Sequence, residues 1–161
     1  MKIDVWSISA LRDCIGYDPQ TGVWRSSTPI IGARHRGYQI IGFIISGRYK
    51  TVAAHRLAWA IHYGEWPSTN VDHVNCVKDD NRICNLRLAT KAENGWNTPA
   101  PRRNKSGVKG VCWSEERQKW CAMISVNNKK IALGRFDTID EAAAARAVAA
   151  ERYHGEFARH K

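Results

Sequence analysis

Asp72 and His73 are adjacent, and Asn85 and Asn94 follow at spacings that allow four side chains to meet in one place. As residue types they suit the hydrolysis of a phosphodiester, which needs a deprotonated water, compensation for charge building on phosphorus, and help for the departing oxygen. A neutral histidine near its reference pKa takes up a proton at physiological pH, so His73 is the candidate general base. Its other ring nitrogen needs an acceptor that fixes tautomer and direction, and the amide oxygen of Asn85 is the expected one. Asp72 and the carbonyl oxygen of Asn94 are hard ligands for Mg²⁺, or for another divalent cation such as Mn²⁺, which keeps several waters and takes few protein ligands. A bare Asp-His pair is more often a surface hydrogen bond, so the reading rests on all four positions and on the elements that carry them.

Those elements are legible in VDHVNCVKDDNRICNLRLATKAENGWNTP. Val71 to Val74 reads as a strand, Asn75 to Asn81 as a polar loop, and Leu86 to Ala89 as a second strand. Thr90 then opens a helix in which Glu93 completes a Thr-x-x-Glu capping box. In this arrangement the hairpin carries Asp72 and His73, Asn85 precedes its second strand, and the helix presents Asn94 across from them. Upstream, residues 11–53 alternate short apolar runs with turn signals at Asp18-Pro19, Thr21-Gly22, Gly32, Gly37 and Gly47, which predicts β-hairpins. Two of the strands are Tyr38 to Ile45 and Tyr49 to Ala53, joined by Ser46-Gly47-Arg48. The period then changes: Leu57, Ala58, Ile61 and His62 fall at helical spacing, so Ala54 to Tyr63 should be a helix stopped by Gly64 and fenced by Pro67. His55 and His62 on that helix are expected to pack or to touch phosphate. His35, His154 and His160 carry no signal, and Asn97 is read as either a contact to DNA backbone or a solvated residue.

Composition narrows the partners. The chain has 161 residues, 25 Lys+Arg against 15 Asp+Glu, a formal charge of +10 and a pI near 9.7. That balance favours an extended polyanion, nucleic acid rather than a membrane. No run of about 18 apolar residues could span a bilayer, and the first residues lack the pattern of a signal peptide, so the expectation is a cytoplasmic protein. The five cysteines are odd in number and form no CxxC pair, which fits a reducing compartment and predicts no structural zinc. Cys76 and Cys84 flank the loop after His73, so a zinc site with a nearby His is the alternative there, and buried thiols are the plainer account.

Two prolines and the cations Arg102, Arg103 and Lys105 in TPAPRRNKSG mark a basic, extended linker over residues 99–106, either lying along a DNA groove or simply solvated. Beyond it, strands are predicted over Val108 to Trp113, Trp120 to Val126 and Lys130 to Phe136, with turns at Ser114 to Lys119 and Asn127-Asn128. A second capping box, Thr138 to Glu141, opens an alanine-rich helix with Asp140 and Glu141 at its favourable end and Gly155 as its stop. Trp120, Leu133 and Phe136 should face that helix.

The motifs HRLAWA, VDHVNC, NRICNLRLAT and KAENGWN, spread over residues 10–98, resemble the HNH endonucleases of the ββα-metal fold, in particular the phage and intron-encoded homing type. The resemblance implies His73 as general base, Asn85 as the residue orienting it, and Asp72 with Asn94 as metal ligands. Asn94 stands where some relatives carry a third His, and Cys76 where a glycine is usual. A second resemblance, carried by SGVKGVCW, KWCAMI, KKIALGRFDTIDEAAAARAVAA and HGEFA over residues 104–161, is to the DNA-binding domain of plant ethylene-response factors (APETALA type), which is found fused to HNH nucleases in phages. It implies a sheet inserted in the major groove, with Lys109, Trp113, Arg117, Lys119, Ser125 and Lys130 on its exposed face. Several arginine positions of the plant domains are Lys, Cys, Ser or Ala here, so their target site does not carry over.

The expected architecture is therefore α+β: a ββα-metal HNH nuclease domain over 1–98 with preceding hairpins and a short helix, a linker over 99–106, and an ethylene-response-factor-like domain over 107–161, a three-stranded antiparallel sheet packed on one helix. The expected function is a metal-dependent, site-recognising endonuclease acting on double-stranded DNA as a monomer or homodimer. The alternative is a DNA-binding regulator that keeps a silent nuclease fold.

Overall fold

The computed structural model describes residues 7–26, 33–45 and 47–159. The chain divides into two compact units, Met1–Thr90 and Lys91–Lys161.

In the first unit, α1 (Ile8–Cys14) leads into β1 (Ile15–Tyr17), which pairs antiparallel with β2 (Trp24–Ser26). The helix replaces the strand pattern expected from residue 11, because Leu11 is its one buried side chain and a single anchor leaves no alternation to read. The turn between β1 and β2 is held by Asp18, whose carboxylate accepts from the backbone of Gln20 at 2.9 Å and Thr21 at 3.3 Å. A three-stranded antiparallel sheet follows in the order β3-β4-β5, from Ala33–His35, Tyr38–Ile45 and Arg48–Ala53. Ile45 pairs with Arg48, so β5 begins one residue earlier than expected, and Gly47 takes the left-handed φ of 71° that this tight turn requires. The turn residues Gly32 and Ser46 lie outside the described residues.

Helix α2 (Ala54–Tyr63) has the predicted bounds and ends at Gly64, which adopts the left-handed φ of 79°. Its buried face serves two cores. Ala54 and Leu57 join Leu11, Ile15, Ile41 and Phe43, whereas Ala58 packs on Val71 and Leu86 of the next hairpin. Burying a leucine such as Leu57 contributes about 1.5–3 kcal/mol and anchors the helix to the first core, while Ala58 gives the hairpin its contact with it. That hairpin is β6 (Asn70–His73) against β7 (Leu86–Ala89), with a 3-10 turn at Ile83–Asn85.

The second unit opens with α3 (Lys91–Asn97) and continues through β8 (Val111–Ser114), β9 (Lys119–Val126), β10 (Lys129–Phe136) and α4 (Ile139–His154). The strands form one antiparallel sheet in the order β10-β9-β8. Asn127 and Asn128 take φ of 48° and 62°, the pair of left-handed residues that a two-residue hairpin turn of this type needs. Thr138 and Glu141 form both bonds of the capping box, and Ala142, Ala149 and Ala150 are buried. Their small side chains let α4 sit close to Val111 and Ala122, with Trp120, Leu133 and Phe136 around them as expected.

Strand β8 starts three residues later than predicted, because residues 104–108 are consumed in a turn. The Asn104 backbone N–H donates to Pro101 O at 2.8 Å, its side-chain amide to Val108 O at 2.7 Å, and the Ser106 hydroxyl to Val111 O at 2.7 Å. The segment read as an extended linker is thus partly folded onto its own strand. Helix α3, read as part of the first half, belongs by contact to the second unit. The Lys109 ammonium donates to the carbonyls of Gly95, Trp96 and Thr98 at 2.8, 3.0 and 2.8 Å, satisfying the C-terminal end of that helix.

Candidate functional site

Strand β6 delivers Val71, Asp72 and His73 in succession, and all three are buried. Asp72 lies directly opposite Arg87 in the β6–β7 register, and the Arg87 guanidinium donates to its Oδ2 through Nε and Nη2, both at 3.1 Å. With Asp72 only 6% exposed, this cross-strand pair compensates a carboxylate that water barely reaches.

The acceptor of His73 is Asn81, not Asn85. His73 Nε2 lies 3.3 Å from Asn81 Oδ1, while the Asn81 amide nitrogen donates to the Asp79 carbonyl at 3.3 Å and to Gln39 Oε1 at 3.0 Å. A backbone carbonyl only accepts, so the Asn81 amide is oriented with its oxygen toward His73. Nε2 therefore carries the ring proton, and Nδ1 is the basic nitrogen. Burial pushes the His73 pKa below the ordinary histidine range, against the opposing pull of the Asn81 bond and the nearby carboxylates of Asp72, Asp80 and Asp79. The ring is neutral at pH 7, as a general base must be.

Asn85 acts one step away, on the loop between the strands. Its Oδ1 accepts from the Asn75 backbone N–H at 3.0 Å, its amide nitrogen donates to Asn75 Oδ1 at 3.0 Å and to Asp80 O at 2.8 Å, and its own carbonyl accepts from the Val74 N–H at 2.9 Å. Those partners leave it no bond to the His73 ring, which corrects the expected role. Asp80 continues the clamp: its carboxylate meets Asn75 at 2.7 Å and Arg82 at 2.6 Å, and the Arg82 hydrogen bond foremost holds it down at about 2. Within this loop Cys76 takes a left-handed φ of 62°. It is half-buried and Cys84 exposed, so neither is the buried thiol expected.

Two aromatic rings back His73. His55 meets it edge-on at a centroid distance of 5.1 Å, and Tyr38 lies 5.0 Å from His55 and 5.9 Å from His73. Burial lowers the His55 pKa to about 3, with the neighbouring His73 the second cause. The packing reading of His55 therefore holds, whereas His62 is exposed. Sequence missed Asn81, Arg87 and Tyr38, and only Arg87 left a trace there, as a cation inside a short buried strand.

Asn94 sits half-buried on α3 in the second unit, and Asn97, read as touching DNA or solvent, is buried. Arg102, Arg103 and Lys105 are exposed. On the sheet, Lys130 pairs with Ser125 and Lys119 with Ser114, on the face away from the Ile124–Ile131 pair of the core. Trp113 is different. It pairs with Trp120 in the register and meets its ring at 5.3 Å, so it lies on the helix-packed face at the sheet's rim, 38% exposed. Arg135, opposite Cys121, takes a place on the open face that sequence did not assign. Arg117 is exposed in the β8–β9 turn, and Lys109 is engaged with α3.

Among the described residues no three His, Cys, Asp or Glu side chains gather around one point. One buried carboxylate, Asp72, is a donor type that fits a hard cation keeping most of its waters.

A hairpin bearing a buried Asp-His pair, a loop clamped by asparagines and a following helix make up the stretch that the sequence profile of the HNH endonucleases matches, residues 52–96. The chain belongs to the HNH endonuclease family. It is 33% identical over 112 residues to Protein 3.8 of Escherichia phage T7, an overlap of 69% of this chain and 92% of that protein. It is also similar to a solved structure of DNA binding and cleavage by the HNH homing endonuclease I-HmuI, at 22% identity and a TM-score of 0.47, covering 94% of this chain and 91% of that one. HNH nucleases typically use a divalent metal. No helix among the described residues is long and apolar enough to cross a membrane.

Proposed function

We propose that the protein is a metal-dependent endonuclease of double-stranded DNA in which the first unit cuts and the second positions. The observation that carries this reading is the His73–Asn81 bond, which leaves a buried, neutral imidazole beside Asp72 with Nδ1 as its basic nitrogen.

His73 Nδ1 takes the proton of the attacking water, and the Nε2–H bond to Asn81 keeps the ring from turning as it becomes charged. Asn85 is a positioning residue: it holds the 75–80 loop, and with it the segment that presents Asn81. Asp72 would hold Mg²⁺ or Mn²⁺, which would supply charge compensation at phosphorus and at the leaving oxygen. The second unit reads as the ethylene-response-factor type of DNA-binding domain, its open sheet face offering Lys119, Ser125, Lys130 and Arg135, with Arg102, Arg103 and Lys105 reaching phosphates nearby. Trp113 remains a candidate contact at the rim of that sheet, and Arg117 one in its turn.

One observation favours the second reading, a DNA-binding regulator with a silent nuclease fold: Arg87 already neutralises Asp72. Incubating supercoiled plasmid with the protein and Mg²⁺, against an EDTA control, separates the two. The nuclease reading expects nicked or linear product only with metal; no product with Mg²⁺ or Mn²⁺ supports the regulator.

A further inference from the structure

Arg146 is the most deeply buried cation described in the second unit. It projects from α4, is 5% exposed, and neither its Nε nor its Nη1 has a hydrogen-bond partner. It passes close to Gly110, whose left-handed φ of 80° and contact with the Met123 carbonyl call for glycine and where a Cβ would also come within 2.8 Å of Arg146 Nε. A buried guanidinium without a counter-charge is costly, and burial pushes its pKa below the ordinary arginine range.

The cation does not face a closed core. It lines a cleft of about 790 Å³ together with Lys91, Lys109, Lys130 and His154, and no carboxylate lines it among the described residues. The cleft has a structural cause. Strand β8 pairs with β9 only from Val111↔Ala122 onward, so the last residues of β9 have no β8 neighbour. His154 takes up one of the edge carbonyls there, Ser125 O, through Nε2 at 3.0 Å, and stacks flat on Trp96 with centroids 4.3 Å apart. The result is a notch with an aromatic wall and a cationic floor. Lys109 is held by α3 carbonyls, which leaves Lys91 and Lys130, both exposed, at the rim.

We infer that this notch is a phosphate-binding site, in which the Arg146 guanidinium supplies the central positive charge facing one backbone phosphodiester of DNA while Lys91 and Lys130 flank it. A fixed guanidinium that stays charged and has no counter-charge nearby suits an anion better than a mobile lysine would. The site adjoins the open sheet face and shares Lys130 with it, but its central residue comes from the helix. Naming DNA as the carrier of the phosphate rests on the proposed function; the anion site itself does not.

The test uses the full chain in EDTA, so cleavage plays no part. Duplex binding is measured against salt for the wild type, Arg146→Met, Arg146→Lys and the rim double variant Lys91→Gln/Lys130→Gln. Thermal stability is followed in parallel in inorganic phosphate and in chloride at equal ionic strength. We expect phosphate to raise the wild-type Tm above chloride. Arg146→Met should lose that rise and lower the salt slope by about 0.9, the share of one phosphate contact. Arg146→Lys should keep part of both. If Arg146→Met does not fold, the rim variant decides: loss of the phosphate effect together with a reduced slope supports the site. An unchanged Tm response and slope in the folded variants overturn it. A phosphate effect on Tm with no change in slope at Arg146 overturns the DNA assignment and leaves a site for free anions only. A protein that passes these tests but never cuts plasmid would sink the nuclease reading alone.

Discussion

His73 and Asn81 are joined at 3.3 Å from ring Nε2 to amide Oδ1, and this bond, with Asn81 fixed from behind by Gln39 and the Asp79 carbonyl, sets which nitrogen of His73 is basic. Asn81 is 1% exposed, and its own carbonyl accepts from the Tyr17 hydroxyl at 2.6 Å. The residue is thus both a support of the fold and the orienter of the candidate base.

Replacing Asn81 with Ala should lower stability by about 1–3 kcal/mol, because buried donors lose their partner. It should also slow cleavage at saturating DNA more than it weakens DNA binding, a split that urea denaturation and single-turnover kinetics read separately. Equal cleavage by Asn81→Ala and the wild type would show that His73 needs no such support.

Arg87 and a metal ion compete for Asp72. Arg87→Met leaves a buried carboxylate without its cation, at a cost of about 3–5 kcal/mol. The variant should therefore have a lower urea midpoint than the wild type and recover more of it on addition of Mn²⁺. A midpoint that responds to Mn²⁺ no more than the wild type would remove Asp72 as a metal ligand.

Much of this was legible in sequence where local rules dominate. Helix α2 follows from the spacing of its apolar residues and the glycine that stops it, and α4 from Thr138 and Glu141, because caps and periodicity act within one turn of chain. The β6–β7 hairpin was legible for the same reason. The partner of His73 was not: Asn81 and Asn85 are equally polar and both lie on the loop side of the hairpin, and only the folded loop decides which amide reaches the ring. The left-handed residue within it, Cys76, sets that path. The inward turn of Trp113 was hidden likewise, since register is a property of the paired strand, Trp120, and not of Trp113's own neighbours.

Cys76 has a φ of 62°, where a residue with a Cβ is strained by roughly 1–2 kcal/mol. Cys76→Gly should relieve that strain and raise the urea midpoint by an amount equivalent to about 1 kcal/mol with activity kept. A lower midpoint would show that the half-buried thiol contributes more packing than the strain it carries.

His55 should make the fold sensitive to acid. Its pKa is about 3 in the folded chain against 6.5 for an ordinary histidine, so between those values the unfolded chain binds the extra proton and stability rises with pH. The contribution of neutral, buried His55 is complete above about pH 6.5 and is lost as pH falls toward about 3. His55→Phe should flatten the dependence of the urea midpoint on pH across that window; an unchanged slope would place the acid sensitivity elsewhere.

The most direct measurement compares wild type and His73→Ala for Mg²⁺-dependent conversion of supercoiled plasmid, with duplex binding measured in EDTA on the same preparations. Loss of a general base should slow cleavage by about 10²–10⁴-fold while binding stays unchanged. Cleavage by His73→Ala at the wild-type rate would contradict the assignment of His73 as the base and, with it, the proposed site.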